Sequence, residues 1–112
     1  MRANITHHRD DPLADLERWI AQGRKAALAT VVSTWGSSPR PVGSHMAISE
    51  TGDFVGSVSG GCIEGAVIDA GRESLITGQA KLLEFGVSNE MAWEVGLACG
   101  GRVQVFVEPI TL

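Results

Sequence analysis

The chain's two cysteines each adjoin a glycine pair, in mirrored order: S-G-G-C-I-E-G from Ser59 to Gly65 and A-C-G-G-R from Ala98 to Arg102. Glycine permits positive φ and lets a backbone come close to another group. The first segment is expected at the start of a helix, whose first turn leaves N–H groups unpaired at the positive end of the dipole. Such a turn suits an anion such as a phosphate. The competing reading is a tight turn that merely contains glycine. Glu64 bears on both. With Gly61 as N-cap it would be the third helical residue and reach back to a free backbone amide. Alternatively, a ligand displaces it, or it meets a ligand donor directly.

A thiol at a helix start can have a lowered pKa. The dipole supplies roughly 0.3–1 kcal/mol at exposed sites, less than the ~1.36 kcal/mol of one pKa unit. Glu64 opposes it. Cys62 is therefore not a strongly activated nucleophile on these grounds, and a small buried residue is the plain alternative. His45 is a histidine that the fold could bring near it. The cysteines lie too far apart for a C-x-x-C knuckle, and His7-His8 sits in a tail, so no structural zinc site is expected. Arg40 and Arg102 are cations beside glycine turns, suited to a phosphate or to plain solvation. Trp35 could cover a flat ring or pack as a lid, whereas Trp19 and Trp93 read as packing residues.

These residues need elements to position them. Asp11 caps an expected helix with Pro12 in its first position, Leu13, Leu16 and Ile20 as its apolar stripe, and Gly23 as its end. Ala26 to Thr34 reads as a buried strand, and Trp35 to Gly43 as a loop rich in proline, glycine and serine. His45–Ser49 and Phe54–Val58 flank a tight E-T-G-D turn as two strands. Cys62 to about Thr77 is expected as a second helix, with Ile63, Val67, Ala70 and Leu75 apolar and Gly78 as its stop. Lys81–Phe85 is a strand candidate, Asn89–Val95 is ambiguous, and R-V-Q-V-F-V alternates as a final strand closed by Glu108-Pro109. The expected fold is α/β: a single small domain over residues 1–112, with a mixed β-sheet, two main helices and a mobile tail at 1–10.

With 112 residues, 44% hydrophobic and 20% charged, the chain has the composition of one soluble domain. A net charge of −4 without a basic block argues against a nucleic-acid partner. The N-terminus has no apolar signal region, and the run near Ala26–Val32 is too short to cross a bilayer. A cytoplasmic protein with reduced thiols is expected, so a Cys62–Cys99 disulfide is disfavoured and the Asn4-Ile5-Thr6 sequon reads as chance.

Three segments taken in order are specific together. T-W-G-S-S-P-R-P-V-G-S-H-M-A-I, then G-D-F-V-G-S-V-S-G-G-C-I-E-G, then G-L-A-C-G-G-R-V-Q-V-F-V-E-P resemble the XdhC/CoxI family, over roughly Leu13 to Pro109. These are accessory proteins in the maturation of xanthine dehydrogenase and carbon monoxide dehydrogenase. The resemblance implies a chaperone-like factor, not an enzyme, that binds the molybdenum cofactor (molybdopterin), presents it for sulfuration and hands it to a molybdenum hydroxylase. It places Gly60, Gly61, Cys62, Glu64, Cys99, Gly100 and Gly101 in the cofactor region, with Ser37, Arg40 and Gly43 as weaker candidates. Cys62, a soft thiol, is the candidate contact to molybdenum through the cofactor.

Longer family members carry a second, Rossmann-like domain, and this chain has no G-x-G-x-x-G. The site is then expected to need a homodimer, a separate Rossmann-like protein or a sulfurtransferase beside the target hydroxylase. Two rival readings stand. One is a thiol-dependent redox or sulfur-transfer protein using Cys62 and Cys99. The other is a non-catalytic interaction subunit that completes a partner's cofactor site.

Overall fold

The computed structural model describes residues 11–35, 40–58, 63–85 and 102–110. Helix α1 spans Pro12–Ala21 and starts as the sequence predicts: the Asp11 carboxylate accepts the Ala14 N–H at 3.2 Å, with proline in the first position. Its buried side is built on Leu16 and Trp19, with Ile20 half-buried. Leu13 stays 47% exposed, because centring the stripe on the larger Trp19 leaves it at the rim. Asp15, also buried, pairs with Arg18 one turn on.

Five strands follow: β1 Ala26–Trp35, β2 His45–Ser49, β3 Phe54–Gly56, β4 Lys81–Phe85 and β5 Arg102–Ile110. They form one sheet in the order β3-β2-β1-β5-β4, with helix α2 (Glu64–Thr77) inserted in the chain between β3 and β4. The expected α/β class with two helices holds. The pairings are finer than the mixed sheet expected, since every described pair is antiparallel. The α2 crossover does join strands that run the same way, but it carries the chain from one sheet edge to the other. β3 and β4 therefore never pair.

The helices cover opposite faces. Leu16 and Trp19 of α1 pack on Ala26 and Ala47. On the other face, Val67 and Ala70 of α2 join Ala29, Val31, Met46, Ile48, Val105 and Val107 in the main core. A strand covered on both sides explains the alanine-rich A-A-L-A-T-V-V run of β1. The inner face of α2 is also small, made of Val67, Ala70, Gly71 and Ser74, and this lets the helix lie close to Ile48. α2 ends at Gly78 in the left-handed region, its N–H bonded to the Ser74 carbonyl at 2.8 Å. Leu75, read as part of the apolar stripe, is half-buried.

Two strand ends differ from the sequence reading. β3 stops at Gly56, where φ reaches +94° and breaks the extended backbone, yet Val58 beyond it is fully buried. β5 runs on through Pro109 to Ile110. Its pairing with β4 ends at Val107, so the proline sits where β5 has one neighbour and its missing N–H is tolerated. At the β2–β3 turn, one Arg24 nitrogen bonds Ser49, Thr51 and Asp53 at 2.9–3.1 Å, while the guanidinium lies over the Trp19 ring.

Candidate functional site

The strand registers gather the flanks of all the singled-out motifs at one end of the sheet. Trp35 at the end of β1 pairs with Arg102 at the start of β5, and Phe85 at the end of β4 pairs with Val103. Gly56 at the end of β3 pairs with Met46, next to His45 at the start of β2. The N-terminus of α2 is tied to the same end through Glu64. The chain therefore leaves and re-enters the described fold at this end on either side of the first loop, of S-G-G-C and of A-C-G-G.

A cavity of about 560 Å³ opens here, lined by Pro12, Arg40, Gly43, Ser44, His45, Gly56 and Ser57. Its walls are held by backbone bonds. The Gly43 N–H donates to the Val31 carbonyl at 2.8 Å, with Gly43 at φ +96°, and the Ser44 carbonyl accepts the Val31 N–H at 2.9 Å. His45 Nδ1 and Thr30 Oγ1 are hydrogen-bonded at 3.1 Å, which orients the imidazole. Gly56 is required by close approach as well as by its φ, since a Cβ there would overlap the His45 carbonyl oxygen. That carbonyl accepts the Ser57 N–H at 3.2 Å.

Glu64 occupies a different place from the one its sequence context predicts. The N-cap of α2 is Ile63, with no side-chain cap bond, and Glu64 is the first helical residue rather than the third. The helix begins two residues later than a capping box from Gly61 would require, and Gly61 itself lies outside the described residues. Its Oε2 instead accepts the Ser57 Oγ–H at 2.6 Å and the Val58 N–H at 3.1 Å. A carboxylate only accepts, so the Ser57 proton is directed at Glu64. The carboxylate also lies in the first turn, where the helix dipole favours negative charge.

Of the residues expected in the site, Arg40 and Gly43 line the cavity, and Glu64 adjoins it through Ser57. Ser37, Gly60, Gly61, Cys62, Cys99, Gly100 and Gly101 lie outside the described residues, as do the 1–10 tail and Asn89–Val95. His45 was weighed only as a thiol neighbour, yet it forms part of the cavity wall. Ser57 and Val58 were not singled out at all. The available signal was a hydroxyl residue three positions before the glycine pair and a carboxylate three positions after it. Among the described residues no group of three or more His, Cys, Asp or Glu could hold a metal ion, and no helix is long and apolar enough to cross a membrane.

Residues 19–86, more than half of the chain, match the XdhC and CoxI family. The chain belongs to that family. A similar XdhC/CoxI relative is the "Molybdenum cofactor insertion chaperone PaoD" of Escherichia coli (strain K12), 32% identical over 84 residues, which cover 75% of this chain and 26% of the relative. Another, from Bacillus subtilis (strain 168), is named as a probable xanthine dehydrogenase subunit; it is 32% identical over 100 residues, which cover 86% of this chain and 30% of the relative. A crystal structure described as a xanthine dehydrogenase from Bacillus halodurans superposes with a TM-score of 0.74 at 27% identity, covering 91% of this chain and 31% of that one. The XdhC/CoxI domain described here thus spans between a quarter and a third of the length of these relatives.

Proposed function

We propose that this XdhC/CoxI domain binds the molybdenum cofactor and takes part in its insertion into a molybdenum hydroxylase of the xanthine dehydrogenase or CO dehydrogenase type. The observation that carries the reading is the 32% identity, across three quarters of the chain, to a molybdenum cofactor insertion chaperone. The chemistry of the cavity is compatible with one end of such a ligand. Arg40 offers a guanidinium, the side-chain type best matched to a phosphate group. Ser44, His45 and Ser57 add hydroxyl and imidazole groups able to orient a polar ring edge.

In this reading Gly60, Gly61, Gly100 and Gly101 admit the ligand closely to the backbone, Ser37 and Gly43 border it, and the thiols of Cys62 and Cys99 serve as soft contacts. When bound, the cofactor supplies the molybdenum centre that the hydroxylase uses, and the chain's task is to hold and release it. A second copy, a Rossmann-like protein or a sulfurtransferase is proposed as a further partner beside the target hydroxylase.

The test is anaerobic binding of released molybdenum cofactor by the wild type and by Cys62→Ser, with circular dichroism as the check on folding. Clear loss of binding with the fold intact is expected in the variant. Failure of the wild type to bind, both alone and with its target hydroxylase, would refute the reading.

A further inference from the structure

We infer that Glu64 is a positioning residue, closing the chain on itself across residues 59–62 and setting one wall of the cavity, and that it is not a ligand of the cofactor. The inference rests on the cofactor-binding reading above. Its geometric basis is the two bonds to Glu64 Oε2, from the Ser57 Oγ–H at 2.6 Å and the Val58 N–H at 3.1 Å. These donors precede the S-G-G-C segment, whereas Glu64 follows it. The carboxylate therefore bridges the chain before the segment to the chain after it.

The same two flanks are also held by apolar burial. Val58 is 0% exposed and Ile63 2%, and both belong to the main core with Met46 and Val67. Each side of residues 59–62 therefore has a core anchor, and Glu64 links the two sides with a polar clamp. Either device alone would leave freedom: the anchors fix positions, while the clamp fixes the direction in which the backbone leaves Gly56.

That direction matters because Ser57 lines the cavity together with Arg40 and His45. The Ser57 N–H is held by the His45 carbonyl, and its hydroxyl proton is held by Glu64. Both of its donor groups are thereby oriented by the protein before any ligand arrives. A site ordered in advance avoids the ordering loss on binding. Among the described residues, Glu64 reaches the cavity wall through Ser57 and Val58.

The test uses amide hydrogen exchange at Val58 and the affinity for anaerobically released molybdenum cofactor. Both are measured on the wild type, Glu64→Gln, Glu64→Ala, Ser57→Ala and the Glu64→Ala/Ser57→Ala pair, with melting followed for each. Glutamine retains an oxygen that can accept both bonds, whereas alanine has none. Val58 is expected to lose protection in Glu64→Ala and to keep it in Glu64→Gln. Cofactor affinity is expected to fall about tenfold in Glu64→Ala and in Ser57→Ala, with the pair no weaker than Glu64→Ala alone and Glu64→Gln close to wild type.

Unchanged Val58 protection in Glu64→Ala would overturn the inference. So would wild-type affinity in Ser57→Ala alongside weakened binding in Glu64→Gln, the pattern of a direct ligand. If Glu64→Ala fails to fold, Ser57→Ala and Glu64→Gln still decide between these outcomes. A wild type without cofactor affinity would refute the functional reading, while the exchange measurement would still decide whether the clamp exists.

Discussion

Gly65 and Gly71 lie in the same helix, α2, and replacing each with alanine exposes what the close helix–sheet contact requires. In a helix, alanine is favoured over glycine by roughly 0.5–1 kcal/mol. At Gly65 a Cβ would meet nothing within 4 Å, so that gain is expected nearly whole. At Gly71 the new Cβ would stand 2.7 Å from Ile48 Cδ1 and 3.3 Å from its Cβ and Cγ2. Carbon atoms prefer about 3.5–4.0 Å. Ile48 is 0% exposed, so it can yield only into packed neighbours, or the helix must lift from the sheet. Overpacking of this kind costs about 1–3 kcal/mol. Gly71→Ala is therefore expected to lose up to ~2 kcal/mol net, while Gly65→Ala gains a fraction of one. Urea and thermal unfolding should separate the two variants by several degrees in Tm, about 4–8 °C for each kcal/mol in a domain of this size. Adding Ile48→Val, which removes the closest atom, should cost less in the Gly71→Ala background than in the wild type. Equal stabilisation by the two glycine replacements would refute the reasoning.

Two further changes probe other parts of the frame. Gly56→Ala combines a left-handed φ, costing about 1–2 kcal/mol, with a clash against main chain that cannot rotate away, so a loss of roughly 2–4 kcal/mol is expected by urea unfolding. Cofactor affinity should fall in parallel as the His45–Ser57 wall shifts. Asp11→Ala should lower stability by about 1 kcal/mol through loss of the Ala14 cap, with Asp11→Asn restoring most of it in the same melts.

The readable parts of the fold were those whose cause is local. Asp11-Pro12 at the start of α1, Gly78 at the end of α2 and the R-V-Q-V-F-V alternation each depend on a few neighbouring residues, and each is where the pattern places it. The sheet order was not readable, because the pairing of Ala26 with Ile110 is a choice between distant segments that no local pattern encodes. In the site, the approximate position of Glu64 was legible but its partners were not. They depend on α2 starting after Ile63 and on β3 ending at Gly56, two boundaries set by burial and by one backbone angle. Leu13 shows the same limit: its spacing fits the stripe, but the bulk of Trp19 decides which way the helix rolls.

The central place of β1 also governs how the protein can be made. Its partner on one side, β2, is close in the chain, so α1 and the β1-β2-β3 meander can assemble while synthesis continues. Its partner on the other side is β5, whose residues leave the ribosome last among the described elements. Until Arg102–Ile110 emerge, β1 carries an open row of backbone donors and acceptors flanked by alanine and valine, the kind of edge that pairs with other chains. Closing the sheet means joining ends separated by most of the sequence, a slow step by its loop entropy. A nascent chain paused before Arg102 is therefore the form most exposed to aggregation, and the last of the described strands to be made is the one that seals the middle of the sheet.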